Sequence, residues 1–484
     1  MDAGCVLAVD QGTSGTKALV VRADGSVAAR AEAPLANRPV GADGVEIDPE
    51  DLWTSVLAAA SAALADARAA GERPVAVALS NQGETVLAWD RATGRPCSAA
   101  ISWQDRRSAP VCAELAGHAE EIRHLSGLEL DPYFSAPKTA WLRRQVTGAG
   151  VVTTTDTWLL HRLTGAFVTD PATASRTLLL DLDACAWSPR LAELFGVDLD
   201  DLPVIVDNDA VIGTTTAFGP ELPVAGIVVD QQAALLAEGC LAPGEAKCTY
   251  GTGAFLLVTL GAEPRRSTSG LVSCVAWTLH GETTYCLDGQ VYTAGAAVGW
   301  LRGLGVVDGP EQLDALAGPA VLASEVFVPA LAGLAAPYWS PGARGSLSGL
   351  SLDSDRGTVV RAVLEGIAAN VAVLAATAAR DLGRPLERLR VDGGLTRSQV
   401  LLQLQADLLQ VPVDVHPTPD ATALGAAALA RLALGHAVDA ASAVAAWAPT
   451  RRFEPGCSAE EASERLARWR RAAGAVVAEQ EGQP

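Results

Sequence analysis

The sequence contains no run of basic residues, and positive charge is scarce throughout the chain. Its 484 residues include 36 Lys and Arg against 56 Asp and Glu, which gives a formal net charge of −20. Binding of a nucleic-acid backbone depends on clustered Lys and Arg, because these side chains replace the counterions of the phosphates. The charge balance therefore excludes nucleic acid as a partner.

Long apolar runs and paired cysteines are also missing. No stretch of about 18 uninterrupted apolar residues occurs, so we expect no membrane span. The N-terminus leads straight into an apolar strand, without the charged segment and cleavage site of a signal peptide. The nine cysteines are scattered singly, with no CxxC pair. This usage is typical of reduced thiols, and it predicts a cytoplasmic protein.

What the chain does contain is enough apolar material for more than one core. A length of 484 residues predicts two or three domains. Strand patterns at residues 5–10 and 17–22 precede a helix pattern at 48–71, with Asp48 as its N-cap. Strands and helices then alternate towards the C-terminus, which indicates an α/β fold.

Two similar turns divide the chain into halves. The first lies in "LAVDQGTSGTKALVV" (residues 7–21) and the second in "KCTYGTGAFLLVTLG" (residues 247–261). Each joins two strand patterns through glycines and hydroxyl side chains. The repetition predicts a duplicated pair of domains with a cleft between them. We expect the domains to cover residues 1–236 and 237–484, with a terminal helix over about the last 30 residues.

The first turn has the composition of a phosphate-binding loop. Backbone N–H groups of glycine-rich turns converge on anions, and the hydroxyls of Thr13, Ser14 and Thr16 add donors. Lys17 adds a positive charge, whereas Asp10 would repel a bare phosphate. Asp10 is explained if Mg²⁺ lies between its carboxylate and the phosphates, because Mg²⁺ prefers carboxylate, water and phosphate oxygens. Either turn alone is better explained as an ordinary hairpin, but two in corresponding places indicate a magnesium–nucleotide site.

Two common nucleotide-binding motifs are excluded. A P-loop requires adjacent Gly and Lys, and here Thr16 separates Gly15 from Lys17. The second turn, "YGTGAF", lacks the third glycine and the following helix of a dinucleotide-binding loop. Neither motif therefore accounts for the two turns.

The order of short motifs along the chain resembles the FGGY family of carbohydrate kinases. The matching stretches run from residue 6 to about residue 430, and they are "VDQGTSGTKAL", "SNQGETVLAWD", "ISWQDRRS", "PYFSAPKTAWL", "TDPATASRTLLLD", "VDQQAALLAEG", "TYGTGAF", "DGQVYTAGAAVGWLR", "VPALAGLAAPYW", "RVDGG" and "ATALGAAALA". The resemblance implies two actin-like, ribonuclease-H-like domains with an interdomain catalytic cleft. It also implies transfer of a phosphoryl group from ATP, with Mg²⁺, to a hydroxyl of a small polyol or sugar.

The resemblance also implies a role for particular residues. Asp230 of "VDQQAAL" would be the general base that accepts the proton of the attacking hydroxyl, and Asp10 would hold the magnesium through water. The residues implied to bind the nucleotide are Thr13, Ser14, Lys17, Gly251, Thr252, Gly295, Gly299, Gly393, Gly394 and Ser398. The residues implied to bind the acceptor are Gly83, Glu84, Trp103, Tyr133, Asp230, Gln231 and Phe255.

Three positions depart from the glycerol-phosphorylating members of the family, to which the resemblance is strongest. Ser398 and Gly299 stand where asparagine and glutamine are usual, which shortens the reach towards adenine and ribose. Gly83 stands in "NQGE" where those members read "NQRE", so an arginine that bonds terminal hydroxyls is missing. The expected acceptor is glycerol, giving glycerol 3-phosphate, or a longer polyol or sugar such as erythritol, threitol, xylulose, ribulose or gluconate.

Other classes of function share the phosphate turns. An actin-like ATP-binding module would bind nucleotide without transferring phosphate, but it would have no need of Glu84, Tyr133 and Phe255 beside "DQQ". A sugar-sensing regulator would need an added DNA-binding segment, and none is visible. The expected partner is thus a small polyol or sugar, with no nucleic acid and no membrane. The oligomeric state stays open, and a homo-oligomer is one of the options.

Overall fold

Two large mixed sheets form the centre of the computed structural model, which describes residues 4–319, 321 and 324–481. The first sheet has six strands, in the spatial order Val211–Thr215, Leu222–Val229, Pro74–Asn81, Cys5–Gln11, Gly15–Val21 and Val27–Pro34. The second has seven strands, in the order Val272–Leu279, Glu282–Val291, Ala254–Gly261, Ala246–Tyr250, Leu389–Asp392, Val413–Val415 and Arg451–Phe453.

The two sheets share one plan. In each, the first strand is antiparallel to the next strand in the chain and parallel to a later one. A second parallel strand and an antiparallel edge strand follow on the same side. The second sheet differs by one extra strand, Val272–Leu279, at its other edge. This repeated order confirms the prediction of an α/β fold built from two related halves.

Helices cover the faces of both sheets. Those of the first half are Pro49–Ala69, Ala109–Glu114, Ala119–Ser126, Ser135–Gln145, Thr155–Thr164, Pro171–Ala174, Pro189–Phe195 and Asp230–Ala237. Those of the second half are Gly295–Gly303, Leu313–Ala317, Arg356–Leu382, Gln399–Leu409, Ala421–Ala433, Ala440–Ala443 and Ala459–Glu481. A smaller five-stranded sheet extends the first half, in the order Arg38–Val40, Gly44–Ile47, Ala100–Ile101, Val86–Trp89 and Val151–Thr154.

The helix Pro49–Ala69 forms where the sequence predicts it. Asp48 is extended, and its side chain accepts a hydrogen bond from the backbone N–H of Glu50, so the first turn has a capped donor. Proline at the first helical position needs no donor. Gly71 follows the end of the helix and has a φ of 84°, in the left-handed region that glycine adopts without strain. Its apolar stripe packs on one face of the first sheet.

The helix Arg356–Leu382 is the central helix of the second half. Asp355 and Thr358 form a reciprocal capping box at its start, and Gly383 ends it with a φ of 71°. By length and composition it could cross a membrane, but 78% of its most apolar window is buried inside the protein. Its hydrophobicity is therefore explained by its position in the core.

The two halves interlock through the helix Ala421–Ala433. It belongs to the second half in sequence, yet it packs on the first sheet and on the helix Asp230–Ala237. The approach is close enough that a Cβ atom on Gly425 would overlap the backbone of Ala233. The boundary expected at residues 236 and 237 falls at the end of Asp230–Ala237, between the two sheets.

Two helix predictions differ in detail from the structure. The sequence pattern of residues 396–409 predicts a single helix, but the structure has a 3₁₀ turn, Gly394–Arg397, followed by the helix Gln399–Leu409. The break occurs because Ser398 is extended and caps the second helix by accepting from the N–H of Leu401. The C-terminal helix Ala459–Glu481 has 23 residues, shorter than expected.

We predict that Gly425→Ala destabilises the protein by about 1–3 kcal/mol, because the added methyl overlaps a backbone that cannot move without parting the two halves. The measurement is Tm by calorimetry, and a fall of several degrees is expected. The control is Gly474→Ala in the helix Ala459–Glu481, where a Cβ atom has no neighbour within 4 Å. Alanine there should raise stability by up to about 1 kcal/mol. Equal effects of the two substitutions would contradict the packing argument.

Candidate active site

A cavity of about 400 Å³ lies between the two halves, at the edge where the parallel strands of both sheets end. It brings together all but three of the residues predicted from the sequence. The predicted residues that line it are Asp10, Thr13, Ser14, Lys17, Gly83, Glu84, Trp103, Tyr133, Asp230, Gln231, Gly251, Thr252, Phe255, Gly393 and Gly394.

Three carboxylates enter the cavity from the carboxyl ends of parallel strands. Asp10 is the last but one residue of the strand Cys5–Gln11, and Asp392 is the last residue of the strand Leu389–Asp392. Asp230 directly follows the strand Leu222–Val229. The ends of parallel strands meet at one edge of a sheet, so the topology forces these acids together. The arrangement concentrates negative charge at the place where the two sheets face each other.

Burial is the main cause of the raised pKa values of Asp230 and Asp10. It raises the pKa of Asp230 to about 7, with a further contribution from the negative charges of Asp10 and Glu84. It likewise raises the pKa of Asp10 to about 6, against the lowering effect of Lys17. A carboxyl group with a pKa near neutrality can exchange a proton under physiological conditions, as general catalysis requires.

Asp230 is also held in place at the start of a helix. Its Oδ1 accepts a hydrogen bond of 2.7 Å from the N–H of Gln231. The buried Lys247 donates to Oε1 of Gln231 (2.7 Å) and to Oγ1 of Thr249 (2.8 Å), and its charge lowers the pKa of Asp230. The second carboxylate oxygen of Asp230 is thus left for a molecule in the cavity.

The two glycine-rich turns form the opposite walls of the cavity. Gly12 N–H donates to the carbonyl of Gly15 (3.0 Å), and Gly251 N–H donates to that of Gly253 (2.9 Å). Asp10 pairs with Lys17 across the first hairpin. The strands on either side of each turn fix its shape, and Gly12, Thr13, Ser14, Gly251 and Thr252 of the two turns line the cavity.

Lys17 already has a partner from the second half. Its ammonium lies 3.4 Å from Oδ1 of Asp420, and the guanidinium of Arg30 lies 3.0 Å from Oδ2 of the same carboxylate. Asp420 immediately precedes the helix Ala421–Ala433, so these ion pairs join the two halves at the mouth of the cavity.

Three aromatic rings surround the other end of the cavity. Trp103 lies edge-on to Tyr133 at 5.8 Å and to Phe255 at 6.2 Å between ring centroids. The indole N–H of Trp103 donates to Oγ1 of Thr13 (2.9 Å), which links this end to the first glycine-rich turn. The buried ammonium of Lys138 bonds the carbonyls of residues 132–134 and so holds the backbone below Tyr133.

Glu84 sits beside the aromatic rings in a strained conformation. Its φ is 57°, in the left-handed region of the backbone that residues other than glycine rarely adopt. Its Oε1 accepts a hydrogen bond of 2.6 Å from Nε of Arg176. A Cβ atom on the preceding Gly83 would meet only a methyl of Val229, at 3.0 Å. Such strain at a cavity wall is typical of functional residues.

Three predicted residues lie outside the cavity lining. Gly295 packs so closely under the second turn that a Cβ atom would touch the carbonyl of Gly251, so it supports that turn from behind. Gly299 is on the exposed face of its helix. The hydroxyl of Ser398 is turned away, since it donates to Asp314 (2.5 Å). Their roles towards a nucleotide stay predictions.

Sequence reasoning missed several polar residues of the same cavity. They are Arg30, Glu32, Gln82, Arg176, Gln232, Asp288, Asp392 and Arg397. Asp392 had a visible signal, because the strand-ending "VDGG" repeats the "VDQG" of the first turn. Arg176 and Asp288 had none, since each lies in an ordinary polar position and meets its partners only through the fold.

The cavity fits a hydrated cation better than a metal held by the protein alone. Within residues 4–319, 321 and 324–481, no group of three or more His, Cys, Asp and Glu is arranged to hold a metal. Asp392 nevertheless adds to the negative charge around Asp10, and it also contacts the buried carboxyl group of Glu238. Mg²⁺ suits such a site, because it keeps several waters and takes its other ligands from phosphates.

Comparison with known proteins covers nearly the whole chain. The N-terminal domain of the FGGY family of carbohydrate kinases matches residues 5–237, and its C-terminal domain matches residues 246–434. A glycerol kinase of Dechloromonas aromatica is 43% identical over 483 residues, which cover 96% of each chain.

Solved structures are similar over a comparable length. Plasmodium falciparum glycerol kinase with ADP has a TM-score of 0.88 at 28% identity, over 98% of both chains. A xylulose kinase from Brucella ovis has a TM-score of 0.87 at 27% identity, over 98% of this chain and 99% of the other.

Proposed function

The chain belongs to the FGGY family of carbohydrate kinases, and from this premise we propose how its cavity transfers phosphate. It is an ATP-dependent phosphotransferase with an alcohol group as acceptor, similar to glycerol kinases over 96% of its length. We assign Asp230 as the general base and a small polyol, with glycerol as the reference, as the acceptor. The observation that carries this assignment is a half-buried carboxyl with a pKa of about 7 in the same cavity as two phosphate-type turns.

The first half would bind the acceptor and the second half most of the nucleotide. The residues proposed to contact the phosphates are Thr13, Ser14, Lys17, Gly251 and Thr252, all on the cavity wall. Gly393 and Gly394 form the turn where adenine would approach the backbone. The phosphates must compete with Asp420 for Lys17, so nucleotide binding would exchange one ion pair for another.

Magnesium would lie near Asp10 and Asp392. When bound, it supplies positive charge against the triphosphate and against the two carboxylates. The raised pKa of Asp10, to which the negative charge of Asp392 contributes, supports this position.

The protein's own part in the reaction is to orient the acceptor and accept its proton. Glu84 and Gln231 would fix hydroxyl groups, while Trp103, Tyr133 and Phe255 would cover the carbon chain and exclude water. The free oxygen of Asp230 would take the proton as the acceptor oxygen attacks the γ-phosphorus. Asp230 then carries that proton away from the product, consistent with its pKa near 7.

We predict that Asp230→Asn lowers kcat by roughly 10²–10⁴-fold, because asparagine cannot accept the proton. The substituted side chain keeps an Oδ1 for the N–H of Gln231, so the fold and the nucleotide site should survive. Nucleotide affinity, measured by calorimetry, should stay within a few-fold of the unsubstituted protein. Retention of kcat within tenfold would mean that another group is the base.

Activity should also depend on pH in a defined direction. A protonated Asp230 cannot act as a base, and its pKa is about 7, so kcat/KM for the acceptor should fall as pH decreases through that value. The profile should lose roughly a factor of ten for each pH unit below it. The measurement is kcat/KM from pH 5 to pH 9, with circular dichroism at each pH as the control for folding. A profile that stays flat from pH 8 to pH 5 would contradict the assignment.

A second acceptor class has its own support in the cavity. Gly83 contributes no side chain to the cavity wall next to Glu84, where a Cβ atom would meet only a methyl of Val229. We therefore propose four- and five-carbon polyols and ketoses as further acceptors.

The test is ADP formation with glycerol, erythritol, threitol, xylulose, ribulose and gluconate. We expect glycerol to react and at least one longer polyol or ketose to match or exceed its kcat/KM. The Gly83→Arg variant is the comparison, because a guanidinium in that space should reduce turnover of the longer acceptors more than that of glycerol. Turnover of glycerol alone would reject the longer acceptors, and no turnover with any compound would reject the proposed function.

A further inference from the structure

A cluster of buried charges closes the inner end of the cavity. It consists of Glu84, Arg176 and Asp288, and we call it the inner charged cluster. Arg176 lies between the acids, with Nε 2.6 Å from Oε1 of Glu84 and Nη1 2.6 Å from Oδ2 of Asp288. The side chains of all three are at most 5% exposed, and all three line the cavity.

The inner charged cluster joins the two halves of the protein. Glu84 follows the strand Pro74–Asn81, and Arg176 follows the short helix Pro171–Ala174, both in the first half. Asp288 belongs to the strand Glu282–Val291 of the second half. The inner wall of the acceptor space is therefore not built by the first half alone.

The hydrogen bonds of the cluster are incomplete. Oδ1 of Asp288 is buried and has no hydrogen-bond partner among the residues described. Arg176 uses Nε and Nη1 for the two acids, and Nη1 also lies 3.8 Å from the sulfur of Cys274. Buried carboxylate oxygens in folded proteins are nearly always paired, so an unpaired oxygen on a residue that lines the cavity points to a donor from a ligand.

The chemistry of such a ligand follows from the charges. The cluster has two acids and one guanidinium, so it carries an excess of negative charge and repels a carboxylate. A hydroxyl group suits it, because its O–H can donate to Asp288 while its oxygen accepts from Arg176. Gluconate, whose carboxylate would meet Asp288 and Glu84, does not suit it.

Building on the proposed function, we propose that Asp288 and Arg176 bind the acceptor hydroxyl farthest from the one that is phosphorylated. Asp288 accepts the proton of that hydroxyl, and Arg176 holds both Asp288 and Glu84 in place. The pair selects uncharged polyols with a hydroxyl at both ends. It also makes acceptor binding depend on contact between the two halves, since Asp288 comes from one and Glu84 from the other.

The test removes the carboxylate and the hydroxyl separately and together. Asp288→Asn is compared with the unsubstituted protein on two pairs of acceptors: glycerol with propane-1,2-diol, and erythritol with butane-1,2,3-triol. Each analogue keeps one primary hydroxyl and lacks the opposite one. The unsubstituted protein should lose at least about tenfold in kcat/KM with each analogue, because an unpaired polar site rejects a ligand that lacks its partner. In Asp288→Asn this ratio should shrink to within about threefold.

The matched control is Asp414→Asn. Asp414 is also a buried acid of the second half, held by Arg452 at 2.5 and 2.8 Å, but it lies on the strand Val413–Val415 outside the cavity. It should keep the acceptor ratio of the unsubstituted protein. If Asp288→Asn does not fold, Asp288→Glu, which keeps the charge and displaces the oxygens, should show the same reduced ratio.

The outcomes separate this inference from the proposed function. An unchanged ratio in the Asp288 variants, with turnover lowered equally for each acceptor and analogue, would mean that the cluster is structural and would overturn the inference. Equal kcat/KM for acceptor and analogue in the unsubstituted protein would overturn it as well. The proposed function fails only if the unsubstituted protein phosphorylates none of the polyols.

Discussion

Negative charge buried at the meeting point of two sheets is the constraint on which the rest of the site depends. Parallel strands bring Asp10, Asp230 and Asp392 to one cavity, where the surrounding protein removes much of the water that would screen Asp10 and Asp230. Carboxylates in such a place must bind a cation, accept a proton or stay unpaired. The raised pKa values of Asp10 and Asp230 show this tension in the protein by itself. A kinase can use the first two responses, because its reaction needs a metal site and a base.

The phosphate-type turns near these acids are parts of hairpins, and a hairpin suits this position in the sheet. A strand–turn–strand unit presents backbone donors on one side while its strands stay in the sheet, so the donors cannot rotate away. Asp10 and Lys17 are opposite each other in the register of the hairpin, so a carboxylate and an ammonium group lie beside the same turn. The second turn adds the matching wall from the other half. The nucleotide site thus requires both sheets in their observed arrangement, which the close contact at Gly425 maintains.

Local chemistry made much of this predictable from the sequence. Asp10 and Asp230 end apolar runs and glycine-rich turns follow or face them, so their place at a strand end could be read directly. The helix Pro49–Ala69 was equally visible through its cap. Ser398 was misleading, because a serine in that place can cap a helix, and here its hydroxyl is used for Leu401 and Asp314. Arg176 and Asp288 could not be found, since they are more than a hundred residues apart and pair only after both halves have folded.

Ion pairs between the halves lie at both ends of the cavity, and the inner and outer pairs differ in a way that bears on closure. At the inner end, Arg176 and Asp288 are almost fully buried, so breaking their contact would leave uncompensated charges out of water. At the mouth, Lys17 and Arg30 are partly exposed, and both share the single carboxylate of Asp420. Water can replace these outer pairs at little cost. Opening should therefore occur at the mouth, with the inner contact as the fixed side. When phosphates bind Lys17 in place of Asp420, Asp420 keeps its ion pair with Arg30. The contact between the halves at the mouth of the cavity is therefore weakened, but not lost, while the nucleotide enters.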